Sequence, residues 1–349
     1  MAFPENRSDV GYSACVREYV FKHNVRNWSR LTESRQRSVW RPKYLHSHNH
    51  LERICQWRSS VRPNSQGRGV AVFLLFTLAL SSVFYFLIAR SGRVGGGWGA
   101  YIGCLMWCPG VAALLTCKYL GRDMSTLGWK WGRTRYEVAC YLIPLGYGTA
   151  IYAFVWLTGL GGFYNKQFYE SFSKDFGLGP MSPWANISLY FVFTATITVI
   201  RDCATVVGEE IGWRGFLVPE LAKRHSFAAT AVISGFIWAM WHYPIFLFAD
   251  GYNGGTPVWY YLPLFTLLLP VMSFVWAWMR LKSGSIWPGV VLHAAHNTFI
   301  QQFFDPLTVD KSKTRYVAGE FGVGLAVISA LMAVYFWKRR REVAPAVGP

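Results

Sequence analysis

The stretch VAVFLLFTLALSSVFYFLIA, residues 70–89, decides the class of fold. It contains 20 residues and no charged side chain. A membrane-spanning helix needs about 20 predominantly apolar residues, so this stretch predicts one span. Further uncharged runs follow at 94–117, 138–165, 176–200, 226–249, 251–279, 283–304 and 321–337. The sequence therefore predicts an all-α, polytopic membrane protein built as a bundle of about eight transmembrane helices.

The composition agrees with a membrane protein. Hydrophobic residues make up 52% of the chain and charged residues only 15%, whereas soluble domains carry about 25% charged residues. The net charge of +17 is compatible with nucleic-acid binding if it is taken alone. Its distribution favours a different explanation, because the basic residues are concentrated beside particular spans.

The basic residues predict the orientation of the chain in the membrane. Residues 1–68 hold 13 Lys and Arg against 5 Asp and Glu, and further basic clusters follow even-numbered spans, at 118–135, 280–282 and 338–341. Basic connections mark the cytoplasmic side. We therefore predict an integral multi-pass protein with both termini cytoplasmic, in the plasma (inner) membrane if the source is bacterial. Membrane lipids are its expected surroundings, and no nucleic-acid partner is expected.

The chain divides into three parts. Residues 1–68 are polar, basic and aperiodic, which predicts a disordered cytoplasmic extension. Residues 69–341 form one membrane domain, and residues 342–349 form a short tail. The HSHNH stretch at 46–50 is interpreted as part of the basic extension, and the seven cysteines, which form no C-x-x-C pair, are interpreted as free thiols.

Three polar stretches interrupt the apolar spans. They read GEEIGWRG at 208–215, FIWAMWHYP at 236–244 and VVLHAAHNTF at 290–299. Charged or ionisable side chains inside a span are expensive, and they usually face a cavity or one another. We therefore treat these stretches as the candidate functional residues.

Helical geometry separates the two carboxylates of the first stretch. Glu210 and Arg214 are four residues apart, with the acid N-terminal to the base, which is the favoured order for an ion pair. Glu209 is rotated by about 100° and lacks that partner. Such a carboxylate suits a general base. A structural ion network of all three residues is the alternative, and this stretch alone leaves both interpretations open.

The spacing of the stretches predicts that they meet. Positions 209 and 242 have their midpoint at 225.5, inside the polar turn 223–226. Residues equidistant from the turn of an antiparallel hairpin lie at one level, so Glu209 and His242 are expected at similar depth. His293 and Asn297 are four residues apart and project from one helix face, whereas His296 points elsewhere and is interpreted as a packing residue.

Two chemistries fit this set of side chains. In the first, Glu209 and His242 orient and deprotonate a water, while His293 and Asn297 donate hydrogen bonds to the oxyanion. In the second, Glu209, His242 and His293 are the three ligands of a catalytic Zn²⁺ with an open fourth position. The spacing does not decide between them.

The combined motifs resemble those of a known family. EEIGWR at 209–214, WAMWH at 238–242 and HAAHN at 293–297 match E-E-x-x-x-R, W-x-x-x-H and H-x-x-x-N, in this order on separate spans. This combination resembles the CPBP family, the CAAX proteases and bacteriocin-processing enzymes also called the Abi family, which includes the type II CAAX prenyl endopeptidases. The resemblance covers roughly residues 69–340.

The resemblance implies an eight-helix intramembrane endopeptidase with its active-site cavity inside the membrane. It would hydrolyse a peptide bond of a membrane-associated peptide or protein. The implied roles are activating acid and its partner for Glu209 and His242, oxyanion side for His293 and Asn297, and support for Glu210 and Arg214. The family includes proteins described as metalloproteases and as metal-free glutamate-dependent proteases, so it leaves Zn²⁺ open.

Two other functions fit the same residues. A non-proteolytic immunity or assembly factor would use the polar cluster to bind a ligand without cutting it. A proton or metal transporter would use the same buried acid and histidines, although the chain shows no internal repeat of the kind common in transporters. The charged pair Arg201 and Asp202 departs from the apolar residues expected ahead of the first motif, and pairing with neighbouring helices is its expected role.

Overall fold

The computed structural model of the protein describes residues 65–91, 98–249 and 255–343. The basic extension predicted for residues 1–68 lies almost wholly outside these residues, as does most of the tail predicted for 342–349. The described helices are α1 (Ser65–Ser91), α2 (Trp98–Tyr119), α3 (Thr134–Leu157), α4 (Lys166–Asp175), α5 (Pro183–Ala222), α6 (Phe227–Phe248), α7 (Val258–Ser283), α8 (287–307), α9 (Thr314–Val317) and α10 (Val323–Lys338). Two short antiparallel strands, β1 (Gly162–Phe163) and β2 (Thr308–Val309), pair with each other.

The predicted all-α membrane fold is confirmed. In the described part of the chain, six helices are long and apolar enough to cross a membrane, namely α1, α2, α3, α5, α6 and α7, and α10 is a shorter apolar helix. The predicted seventh span, 283–304, lies mostly in α8. This helix contains the polar side chains of the third polar stretch of the chain, at 290–299, and is therefore less apolar. Each of the eight predicted runs therefore overlaps a helix.

The fourth span is longer than its uncharged run. That run ends at residue 200, but α5 continues without interruption for 40 residues, from Pro183 to Ala222, through the first motif and up to the predicted turn 223–226. The charges at its centre are satisfied inside the bundle, because Asp202 accepts hydrogen bonds from Thr298 at 2.7 Å, Gln302 at 2.6 Å and Arg201 at 2.8 Å. The expected pairing of Asp202 with neighbouring helices is thus observed, and the helix need not end at a charged residue.

Short π-helical segments lie next to the polar motifs. One covers Ile211–Leu217, immediately after the paired glutamates, and another covers Asn297–Phe304 in α8. Such segments are rare in proteins overall, and those that occur often lie at functional sites. They change the helical phase after residue 210 and at residue 297, which a regular 3.6-residue period does not predict.

Helices α2 and α5 approach each other closely through glycines. A Cβ atom added at Gly208 would lie 2.5 Å from the Cα of Trp107, and one added at Gly212 would lie 2.4 Å from the Cβ of Pro109. Small residues at helix interfaces allow this backbone contact in membrane proteins. The contact fixes the depth of the first motif relative to α2.

Replacing Gly212 with alanine should destabilise the protein by about 1–3 kcal/mol, the usual cost of overpacking a dense interior. The added methyl group meets the ring and backbone of Pro109, which have little freedom to move. Gly146→Ala is the control, since nothing lies within 4 Å of a Cβ at that position in α3. Thermal unfolding in detergent measures both variants, and equal midpoints would contradict the close approach.

Candidate active site

Side chains from three helices meet at one cavity within the bundle. This central cavity has a volume of about 180 Å³, and its lining includes Glu209 of α5, His242 of α6, and His293 and Asn297 of α8. A water occupies about 30 Å³ in the liquid, so the cavity has room for several. The structure thus brings the predicted catalytic residues together, with Glu209 and His242 lining the same cavity.

Glu209 is held by two indole groups. Its Oε2 atom accepts a hydrogen bond from Trp238 Nε1 of α6 at 2.7 Å and a longer one from Trp213 Nε1 at 3.3 Å. The carboxylate forms no ion pair within the described residues, as the helical geometry predicted. The carboxylate nevertheless has partners. The two neutral indole donors both bind Oε2, and Oε1 is left for the cavity.

Glu210 joins the first motif to the third. Arg214 donates to its Oε1 at 2.8 Å, which confirms the predicted ion pair, and His293 Nδ1 donates to the same oxygen at 2.9 Å. The guanidinium of Arg214 also lies over the ring of Trp238, with its Cζ 4.0 Å from the ring centroid. Gly289 makes room for this carboxylate, since a Cβ there would lie 2.6 Å from Glu210 Oε2.

The orientation of His242 follows from one hydrogen bond. Its Nδ1 lies 2.8 Å from the carbonyl oxygen of Trp238, one turn earlier in α6. A carbonyl only accepts, so the proton is on Nδ1 and the neutral ring has its lone pair on Nε2. Trp241 and Phe265 pack edge-on against the ring, at centroid distances of 4.9 and 5.2 Å. His242 therefore presents a proton acceptor in a fixed position.

His293 and Asn297 form the opposite wall of the central cavity. His293 Nδ1 donates to Glu210, so its Nε2 is the atom left for the cavity. Asn297 has no hydrogen-bond partner for its side chain among the described residues and lines the cavity with its amide. His296 accepts or donates a hydrogen bond with the hydroxyl of Tyr147 and is buried, which agrees with its interpretation as a packing residue.

The donors do not form a metal site in this arrangement. In the described part of the chain, no group of three His, Cys, Asp or Glu side chains is placed to hold one ion. This includes Glu209, His242 and His293, the set predicted as Zn²⁺ ligands. The hydrogen bonds to both Nδ1 atoms are of the kind that orient metal-bound imidazoles, but they orient a proton acceptor equally well.

Three residues at the site were given no role from sequence. Trp213 was unassigned and Trp238 was noted only as part of the W-x-x-x-H pattern, which is the signal for its role as a donor to Glu209. Glu320 had no motif around it. It lines the central cavity from the connection between α8 and α10, and it accepts a hydrogen bond from Gln301 Nε2 at 3.1 Å.

Glu320 has an unusual environment for a carboxyl group in a connecting segment. Burial raises its pKa to about 7, against the opposing influence of the His293 ring, and the nearby carboxyls of Asp305 and Glu209 act in the same direction as burial. At neutral pH the Glu320 carboxyl is thus present in both protonation states. The lining of the central cavity therefore includes an acid, Glu320, that changes its protonation state near neutral pH.

Comparison with known proteins shows that part of this chain is similar to one family. Residues 181–299 match the family model described as type II CAAX prenyl endopeptidase Rce1-like. A stretch of 89 residues is 33% identical to CAAX prenyl protease 2 of Methanococcus maripaludis, covering 24% of this chain and 32% of that protein. The aligned region thus spans about a third of the length of this relative.

The matched segment includes every site residue that was predicted from sequence. All six predicted site residues, from Glu209 to Asn297, fall within residues 181–299. The segment that carries the site is therefore Rce1-like, and the resemblance to CAAX proteases of the CPBP family, inferred from three motifs, is confirmed.

Proposed function

We propose that this protein is an intramembrane endopeptidase that hydrolyses a peptide bond of a membrane-associated substrate with a water activated by Glu209 and His242. The observation that carries the proposal is the meeting of a carboxylate, two imidazoles and an amide at one cavity, large enough for several waters, inside a membrane bundle. The Rce1-like match over the same residues supports the same reaction class.

The first step is the activation of the water. Glu209 Oε1 takes one proton, and His242 Nε2 accepts a hydrogen bond from the other O–H, so the water oxygen is directed at the substrate carbonyl carbon. Trp238 holds the carboxylate in place through its indole N–H. A positioned base of this kind contributes typically 10²- to 10⁴-fold to the rate.

The second step is stabilisation of the tetrahedral intermediate. The amide N–H of Asn297 donates to the oxyanion, and His293 Nε2 donates when the ring carries both protons. Glu210 is the anion that lies against such a ring, and Arg214 holds Glu210 in position. Glu209, now protonated, returns its proton to the leaving amine, which completes hydrolysis.

A groove on the side of the bundle is consistent with a membrane-associated substrate. An apolar groove of about 400 Å³ lies between α1, α2 and α5, and Thr205 lines both this groove and the central cavity. Its other walls include Leu80, Phe84, Trp107 and Val111. We assign it to the apolar anchor of the substrate, with the peptide directed towards Glu209.

The proposed function is tested with lipid-anchored peptides in proteoliposomes. The wild-type chain should cut prenyl-anchored or acyl-anchored peptides at a single bond, and His242→Ala should reduce cleavage at least about a hundredfold, since the water loses an acceptor. His225→Ala is the control, because that histidine is exposed in the turn between α5 and α6. Mass spectrometry identifies the new termini. Equal cleavage by wild type and His242→Ala would refute the mechanism.

A further inference from the structure

The connections of the bundle form two faces. Among the described residues, the basic face comprises 118–137, 220–226, 280–286 and 338–343, and the opposite face comprises 90–91, 158–182, 255–257 and 305–322. Contacts within the described residues agree with this grouping. On the basic face, Trp287 Nε1 donates to Trp129 O at 2.8 Å. On the opposite face, β1 pairs with β2 and Lys311 Nζ donates to Gly159 O at 3.0 Å.

The charges of the two faces differ strongly. The described residues of the basic face include 13 Lys and Arg against 4 Asp and Glu, a net of +9, whereas those of the opposite face include 6 against 5, a net of +1. Lys and Arg in short connections set the orientation of a membrane protein and lie on the cytoplasmic side. The basic face is therefore the cytoplasmic one.

The central cavity is closed towards the basic face. Beyond Glu209 in that direction, α5 contributes Trp213 and Arg214, which are 1% and 3% exposed, and Leu217, which is fully buried. Arg280 of α7 seals this layer further, because its Nε donates to the carbonyl oxygen of Arg214 at 2.8 Å. A peptide has no path to the catalytic water through this layer.

The central cavity continues towards the opposite face. Gln301 and Glu320 line it and also line a second cavity of about 330 Å³, the vestibule, which is formed by residues 301–321. The other vestibule walls include polar side chains such as Asp305 and Asp310. The two cavities thus share Gln301 and Glu320 as lining residues, which places the vestibule beside the central cavity on the side of the opposite face.

We propose that the site receives its substrate from the non-cytoplasmic side of the membrane. On this proposal, which rests on the proposed function, the substrate class is a membrane-anchored polypeptide whose scissile segment is exposed at the outer face. The segment enters through the vestibule and passes the carboxyl group of Glu320. A lipid-modified C-terminus in the cytoplasm would face the closed side of the bundle.

Thiol labelling tests this inference without relying on catalysis. Lys130→Cys lies on the basic face, Lys313→Cys on the opposite face and Gln301→Cys between the two cavities; both lysines are exposed. Each variant of the full chain is expressed in bacterial spheroplasts and treated with a membrane-impermeant maleimide, and the label gained over the parent chain is measured. We expect Lys313→Cys and Gln301→Cys to be labelled in intact spheroplasts, and Lys130→Cys only after permeabilisation.

Each other outcome overturns the inference. Labelling of Lys130→Cys in intact spheroplasts would show that the basic face is outside or that the chain has two orientations. A Gln301→Cys variant that reacts only after permeabilisation, or not at all, would show that the vestibule does not lead inwards. The same three labels in a His242→Ala background should be unchanged, so a failure of the proposed proteolysis is seen separately, in the cleavage assay.

Discussion

Glu209→Gln should reduce peptide cleavage by about a hundredfold to ten-thousandfold while the protein remains folded. Glutamine has nearly the same shape, and its amide oxygen still accepts the hydrogen bond from Trp238 Nε1, which is 2.7 Å from the carboxylate. It cannot take a proton from water at neutral pH, so the general base is lost. The cleavage rate of the lipid-anchored peptide and the thermal unfolding midpoint are measured together.

The control for this variant is Glu170→Gln. Glu170 is an exposed carboxylate of α4, where it pairs with Lys166 at 3.5 Å, far from the catalytic residues in sequence and exposed to solvent. Its substitution should leave the cleavage rate unchanged. A Glu209→Gln protein that cleaves as fast as the wild type would remove Glu209 from the mechanism.

Treatment with a chelator distinguishes two explanations for a loss of cleavage in Glu209→Gln, namely the loss of a general base and the loss of a metal ligand. If Glu209 were a metal ligand, glutamine would also lower activity, because the ion would be held less tightly. We expect the wild type to retain cleavage after chelation, since no set of three donors is placed to hold an ion in the described residues. Loss of wild-type cleavage on chelation, with recovery on adding Zn²⁺, would instead assign Glu209, His242 and His293 to a metal.

Much of the site could be predicted because it depends on local helical geometry. The Glu210–Arg214 pair follows from a spacing of four residues, and it is present at 2.8 Å. The shared depth of Glu209 and His242 follows from their equal distance to the turn 223–226. Neither prediction requires knowledge of which helices are neighbours, apart from one hairpin.

The remaining contacts depend on which helix faces which. The pairing of His293 with Glu210 joins residues 83 positions apart on α5 and α8, and no spacing within one helix relates them. The donors Trp213 and Trp238 were also missed because tryptophan in a membrane protein is expected at the lipid interface.

The charged residues inside the fourth span have a related explanation. The uncharged run ends at 200, because Arg201 and Asp202 follow, although the helix continues to Ala222. In the fold, the Asp202 carboxylate accepts hydrogen bonds from three side chains, two of which come from α8. The cost of a charge in a span depends on such partners, and a linear pattern does not contain them.

Arg214→Met should be the most destabilising change near the site, at about 3–5 kcal/mol. Methionine keeps much of the apolar volume between Trp238 and Trp276, whose ring centroids lie 4.0 and 5.1 Å from the guanidinium carbon. It removes the positive charge beside Glu210, which is fully buried. Breaking a buried pair by removing one partner is costly because the remaining charge is left uncompensated.

The exposed pair of α4 provides the matched control. Lys166→Met removes the cation from Glu170, but both side chains are in water. Exposed ion pairs contribute about 0–1 kcal/mol, so its unfolding midpoint should stay close to that of the wild type. Thermal unfolding in detergent compares the two variants directly.

The double variant Arg214→Met with Glu210→Gln distinguishes charge from packing. If the cost of Arg214→Met comes from the uncompensated carboxylate, removing that carboxylate should restore a large part of the stability, because a buried pair replaced as a whole is often neutral. Cleavage should stay low in the double variant, since glutamine supplies no negative charge beside His293 Nδ1, 2.9 Å away, when that ring carries both protons and donates to the oxyanion. Recovery of cleavage together with stability would show that Glu210 and Arg214 support the fold alone, and a double variant as unstable as Arg214→Met would assign the cost to packing.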